Sequence, residues 1–355
     1  LTYNSKNICN GMYASYQWEG KEIKTSDYAR HKISTGKVSD SFGKGHIYKV
    51  EYTDKELPEL TQYFYLYPDK EYILTDFTVE AEEEISSAKM APVNVYSISG
   101  FLQAGDNRAL FVPFDNDKWI RYQSHPLGFD TLVSYEVTAI FNNESRNGLV
   151  IGSVEHDNWK TGITYSSSEN NCLQSLSVFG GLVDALTNDI RPEKGPAIHK
   201  HGKLYGTRIK SPKILVGFFK DWRIGMENIG EATALITPPL PWQKGTIFAW
   251  QSWGGMADKV NYTGAIDISD YFRNKLQPAG FHNENGEVYM ILDSFWDNFN
   301  EQQLKDFVSH CKANGQIPGI YWTPFSFWGG EKDNWNVEGT DGKYKYGDII
   351  ITANG

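Results

Sequence analysis

The hydrophobic period of this 355-residue sequence changes once, and that change limits the folds open to it. Up to residue 237, apolar residues recur at every second position in short runs separated by Gly, Asn, Asp and Pro. The runs are HIYKVEY (46–52), YFYLYP (63–68), YILTDFTVEAE (72–82), VNVYSISG (93–100), LVSYEVTAIFN (132–142), GLVIGSV (148–154), GITYSS (162–167), KILVGFF (213–219) and TALIT (233–237). A period of two, enriched in Tyr, Val, Ile and Phe, turns alternate side chains to opposite faces of antiparallel strands. So many short strands in succession predict an all-β supersandwich, because a parallel sheet would need a helix between strands.

Thr237-Pro238-Pro239-Leu240-Pro241-Trp242 is stiff and cannot continue a helix, and the punctuation differs beyond it. The expected domains are therefore 1–237 and 238–355, in keeping with a chain too long for one core. In the second part, 246–253 (TIFAWQSW), 287–293 (EVYMILD) and 317–323 (IPGIYWT) read as buried strands. Between them, 267–276 (DISDYFRNKL) reads as a helix with Asp267 near its start and Pro278 after its end. Residues 301–313 carry Leu304, Phe307, Val308 and Cys311 as a one-sided stripe closed by Asn314-Gly315. Apolar strands alternating with amphipathic helices predict right-handed βαβ units and a parallel sheet. A barrel and a doubly wound sheet both satisfy that pattern, but no Gly-x-Gly-x-x-Gly turn follows the first strand to mark a dinucleotide fold. The tail, 348–355, reads as a hairpin-like excursion.

Composition narrows the partners. A net charge of −10 with scattered acidic residues argues against nucleic acid, whose phosphates require a basic face. No run approaches the roughly 18 uncharged apolar residues of a membrane span. Three cysteines, Cys9, Cys172 and Cys311, are too few for a disulfide framework. A chain beginning at Leu1 is compatible with a leader already removed, so a secreted or periplasmic protein is expected, with the cytoplasm left open. The 11 Trp and 21 Tyr, many beside Gly, Asn and Asp, suit either a sandwich core or a cleft that stacks sugar rings.

In a (β/α)8 barrel the working side chains stand at the C-terminal ends of the strands. Those ends read Trp250-Gln251-Ser252-Trp253, Ile291-Leu292-Asp293-Ser294-Phe295-Trp296-Asp297 and Tyr321-Trp322-Thr323-Pro324. An acid closing an apolar run needs donors, so Asp293 either binds hydroxyls of a ligand or caps local backbone N–H groups. Trp253 and Trp322 are stacking walls or space-fillers, and Asp297 is a ligand contact or a solvated turn residue. Within the sandwich, Asp115, Asp117 and Trp119 lie in a dense polar and aromatic loop that either helps close a pocket or forms an Asx-rich turn. Its Asp-x-Asp spacing lacks the distal Glu of a calcium loop, and His199 and His201 lack a third ligand, so no metal and no cofactor are expected. The cluster His156-Asp157-Asn158-Trp159 reads as a loop between strands.

These strand ends resemble glycoside hydrolase family 36, the α-galactosidases or melibiases. Ile291-Leu292-Asp293-Ser294-Phe295-Trp296 resembles the family's second-strand Asp-Asp-Gly-Trp-like sequence, which holds sugar hydroxyls. Ala249-Trp250-Gln251-Ser252-Trp253 resembles its first strand, ending Asn-Ser-Trp. Pro318-Gly319-Ile320-Tyr321-Trp322-Thr323-Pro324 resembles its third, Gly-Leu-Trp-x-Glu-Pro. The chain departs at Ser294, where the family has a second Asp, and at Thr323, where it has Glu. The resemblance implies a supersandwich followed by the first three β/α units of an incomplete (β/α)8 TIM barrel. It implies a retaining exo-glycosidase acting on terminal α-linked sugars, α-galactosides first, in an oligosaccharide or glycoconjugate.

Retention requires two carboxylates about 5–5.5 Å apart. The resemblance assigns them to the fourth and sixth strands, so both are expected beyond residue 355, and the chain reads as an inactive fragment. An unclosed barrel would expose an apolar strand edge and favour association of identical chains. A carbohydrate-binding protein without catalysis, its sandwich recognising the sugar, is the alternative. The expected outcome of incubating the 355-residue protein with an aryl α-galactoside is sugar binding at most, with no release of the aryl alcohol.

Overall fold

In the computed structural model the residues described are 2–3, 6–7, 9–98, 102–113, 122–128, 131–167, 173–181, 202–243, 245–322 and 333–350. They form two units, Leu1–Pro239 and Leu240–Gly355.

The period-two segments of the first unit pair antiparallel into two large sheets. One runs Leu132–Tyr135, Thr161–Ser167, Leu173–Gly181, Lys89–Val95, Tyr13–Trp18, Lys21–Lys24. The other runs Gln123–Pro126, Asn107–Phe111, Val137–Asn142, Gly148–Ser153, Ile214–Phe219, Tyr72–Ser87, Glu59–Leu66, Gly43–Thr53, Arg30–Asp40. Val93, Ile163, Leu176 and Val178 of the first sheet share a core with Ile140, Leu149, Ile151 and Ile214 of the second. Alternation thus gives each strand one face for this shared interior, and the sheets form a sandwich.

The segment 132–142, expected as one strand, is two. Glu136, in left-handed conformation at φ 63°, separates Leu132–Tyr135 in one sheet from Val137–Asn142 in the other. Its carbonyl accepts Ser153 N at 2.8 Å and its N–H donates to Thr161 O at 2.9 Å, so the corner is bonded to both sheets.

The expected strand 233–237 is the end of a helix, Trp222–Ile236, with Thr237 as its C-cap. Asp221 caps its start by accepting Arg223 N, and Arg223 also reaches back to the same carboxylate with its guanidinium. That side-chain hydrogen bond leads in holding the Asp221 carboxyl down to about 2. Gly225, Ile229 and Ala232, at spacings of four and three, meet the outer face of the second sheet at Val150, Leu215 and Phe219. A Cβ on Gly225 would stand 2.5 Å from Phe219 and 2.6 Å from Val150. The helix therefore lies so close that only hydrogen fits there.

On the same outer face, Asp76 is buried at 1% exposure between Lys210 at 3.4 Å and Lys213 at 3.7 Å. The Tyr65 hydroxyl donates to its other oxygen at 3.2 Å. Burial pushes its carboxyl upward despite the two ammonium groups.

The second unit is a three-stranded parallel sheet, Ala249–Gln251, Tyr289–Leu292, Ile317–Ile320, in sequence order. The strands are shorter than the apolar runs that announced them, the first because Ser252–Gly255 turns into a short helix. The first connecting helix starts at Tyr262, capped by the Asn261 side chain rather than near Asp267, and continues past Tyr271 as a wider turn over Phe272–Leu276. The second connecting helix, Glu301–Ala313, occupies its expected span and opens with reciprocal hydrogen bonds between Asn300 and Gln303. Phe307 and Cys311 are buried against Met290 and Leu292, whereas Val308, expected in the stripe, faces out at 37% exposure. Burial pushes the Cys311 thiol up to about 11, so it acts as a small apolar filler. The helices cover one sheet face, and Tyr289 and Ile291 on the opposite face stay half-buried. Tyr346–Ile349 is a short helix that takes in the first residues of the tail 348–355, and 351–355 of that tail lie outside the described residues. No helix among the described residues is long and apolar enough to cross a membrane.

Two glycines of the sandwich helix should respond with opposite signs. Ala is the better helix former by about 1 kcal/mol, so Gly230→Ala, exposed with nothing within 4 Å, should stabilise by up to that amount. Gly225→Ala gains the same propensity but overpacks, at a cost of about 1–3 kcal/mol, and should destabilise in urea unfolding. The cap gives a pH test. Its contribution is complete above the unfolded-state pKa of about 3.9 and is lost as pH falls through about 2. Asp221→Asn should therefore differ from the parent at pH 6 and converge with it in strong acid.

Candidate functional site

Parallel pairing aligns the C-terminal ends of the three strands on one edge of the sheet. Gln251 is level with Ile291, Leu292 is level with Ile320, and Tyr321 N donates to Leu292 O at 2.6 Å. The residues that follow, Ser252 and Trp253, Asp293, and Tyr321 and Trp322, therefore leave the sheet from neighbouring positions.

Asp293 is at the centre of this edge, 9% exposed. Its N–H donates to Ser252 Oγ at 2.8 Å, linking the second strand end to the first. Its Oδ1 accepts the N–H of Ser294 at 2.5 Å, and its Oδ2 accepts the side-chain amide of Gln251. Both readings of this acid thus have a basis. The local bonds hold the carboxylate in one orientation, and each oxygen, with two lone pairs, uses only part of its acceptor capacity in them. A fixed carboxylate with acceptor sites to spare can bind hydroxyl groups.

Trp253 and Trp322 do not fill space in the core. They are 41% and 73% exposed, while Trp250 and Trp296 lie against the buried cluster of the unit. Asp297 lies exposed in the short helical turn Trp296–Asn298. The structure therefore brings Asp293, Trp253 and Trp322 to one edge. Asp115, Asp117, Trp119, Thr323, His199 and His201 lie outside the described residues.

Sequence reasoning passed over Phe295 and Gln251. The Phe295 ring lies parallel to that of Trp253, centroids 6.2 Å apart and planes 10° apart. Its signal was present in the sequence: phenylalanine stands where the resembled Asp-Asp-Gly-Trp motif has glycine. Gln251 was hidden as the polar end of an apolar run.

Elsewhere, the His156 cluster is structural. His156 Nδ1 meets Glu136 at 3.1 Å, and buried Trp159 donates to Lys210 O at 2.8 Å. Among the described residues no group of three or more His, Cys, Asp or Glu is placed to hold a metal ion.

No family model and no curated protein matches the sequence. Among solved structures, the chain is similar to a GH36 alpha-galactosidase from Geobacillus stearothermophilus in complex with 1-deoxygalactonojirimycin. That match has 12% identity and a TM-score of 0.46 over 92% of this chain and 47% of the other. An alpha-N-acetylgalactosaminidase from Bifidobacterium bifidum matches at 9% identity and TM-score 0.46, over 88% of this chain and 53% of its own. The galactosidase domain of an alpha-galactosidase-sucrose kinase matches at 11% and 0.45, over 89% and 45%. The chain spans about half the length of these solved chains.

Removing the Asp293 carboxylate deprives the exposed Gln251 amide and the half-buried Ser294 N–H of this acceptor, a loss of about 0.5–1.5 kcal/mol. Asp293→Ala should lower hydrogen-exchange protection of the 289–292 amides accordingly, whereas Asp297→Ala, in an exposed turn, should leave it within about 0.5 kcal/mol.

Proposed function

We propose that this chain is the sugar-holding part of a retaining exo-glycosidase that acts on terminal α-galactosides. The observation that carries the proposal is the shared edge on which a fixed, buried carboxylate, Asp293, stands between two exposed tryptophans, Trp253 and Trp322. Carboxylates select the ring of hydroxyls on a sugar, and indole faces take its C–H face. All three residues end strands that resemble, in order, the first three barrel strands of glycoside hydrolase family 36.

The half-covered sheet is consistent with this. A parallel sheet is ordinarily covered on both faces. Here helices cover one face, and Tyr289 and Ile291 on the other stay half-buried, as they would if that face lined a barrel completed by further strands. Asp293 would orient the terminal sugar by its hydroxyls. The nucleophile and the acid/base would come from strands other than these three, roughly 5–5.5 Å apart across the anomeric carbon. Ser294, in place of the motif's second carboxylate, removes one charge from the hydroxyl-binding corner and admits a sugar other than galactose there.

A second reading, a binding protein that uses its sandwich, has one observation in its favour. Across the outer face of the first sheet, Ser177, Asn94, Ser15 and Glu22 form a continuous hydrogen-bonded row. Beside it, Tyr13 stacks on Tyr96 with centroids 5.1 Å apart, and Tyr96 is 61% exposed.

Saturation-transfer NMR with methyl α-galactoside separates the two. The barrel-edge reading expects transfer to the 355-residue protein that is lost in Asp293→Asn and in Trp322→Ala and kept in Tyr96→Ala. The reverse pattern assigns binding to the sandwich. Absence of transfer to the unaltered protein removes both.

A further inference from the structure

The turn after the second parallel strand places phenylalanine where the backbone calls for glycine. Trp296 N donates to Asp293 O at 3.2 Å, closing a four-residue turn with Ser294 and Phe295 at its centre. Phe295 has φ 67° and ψ 16°, whereas Ser294 is not among the residues of positive φ. That combination is close to a type II turn, whose third position favours Gly or Asn. A bulky side chain in the left-handed region is held there against its own preference, and such outliers concentrate at functional sites.

Burial does not compensate for the strain, since Phe295 is 42% exposed. The ring lies instead in near-parallel register with Trp253, itself 41% exposed. Two strand ends therefore each contribute one ring to an exposed, stacked apolar pair. The pair adjoins Asp293: Phe295 follows it by two residues, and Trp253 follows Ser252, whose hydroxyl accepts the Asp293 N–H.

Building on the proposed glycosidase reading, we infer that Phe295, braced against Trp253, is a platform for the group on the far side of the glycosidic oxygen. The chain thereby prefers α-galactosides whose aglycone has a flat face, an aryl group or a second pyranose ring. The direction follows from burial. Asp293, at 9% exposure, takes the terminal sugar beside Trp253, while Phe295, at 42%, lies further out, where the rest of an exo-acting enzyme's substrate must pass.

The test is the ratio of dissociation constants of the 355-residue protein for methyl and phenyl α-galactoside, titrated by ligand-observed NMR, together with the melting midpoint. Aromatic stacking of about 0.5–1.5 kcal/mol corresponds to a phenyl glycoside bound about 2–12-fold tighter. Phe295→Gly should bring the ratio toward one while the midpoint holds or rises, because glycine accepts this φ without strain. Phe295→Asn, which also tolerates the left-handed region, should give the same ratio, and Phe295→Tyr should keep that of the parent. An unchanged ratio in both Phe295→Gly and Phe295→Asn, with both glycosides still bound, overturns the platform and leaves the sugar site standing. Failure of either glycoside to bind the unaltered protein overturns the sugar site, and the platform with it.

Discussion

The hydrogen bonds around Asp293 tie the first strand end of the parallel sheet to the second, and the geometry of the candidate site depends on them. Backbone pairing alone aligns the strands but does not aim side chains. The link from Asp293 N to Ser252 Oγ and the contact between Gln251 and the carboxylate set where the two ends point relative to one another. A carboxylate out of water requires such donors, because a buried polar group without hydrogen-bond partners is costly. The same bonds that satisfy the carboxylate also fix its direction, so the structural and functional roles of this acid do not compete.

The first unit shows another way of placing charge inside a β-sandwich. Asp76 lies between Lys210 and Lys213 on the face that the helix Trp222–Ile236 also covers, and Glu155 meets the same lysines. Two acids and two bases balance there. Replacing such a set with apolar residues is often neutral for stability, whereas removing one member is costly. The network thus constrains which strands may lie side by side more than it adds to the depth of the fold.

Much of this architecture was legible in the sequence, and the failures have physical causes. Residues 287–293 and 301–313 could be read because large apolar residues mark the buried face of each. The helix Trp222–Ile236 was missed because two of its three buried contacts are Gly225 and Ala232, which leave almost no hydrophobic trace. The strand Arg30–Asp40 escaped notice because neither of its faces is buried, so HKISTGKVSD carries no alternation. At the site, Asp293, Trp253 and Trp322 were found from their position at strand ends. Phe295 was not: its only trace in the sequence is phenylalanine at the motif's glycine position, and the left-handed backbone that gives this meaning is seen only in the structure.

The corner at Glu136 has a mechanical consequence. A single stretch of chain is hydrogen-bonded into one sheet up to Tyr135 and into the other from Val137 onward. It acts as a covalent rivet between the layers, so they cannot shear past one another without breaking backbone pairing on both sides. Loops at that end of the sandwich are carried on a frame that moves as one piece, whichever layer they spring from.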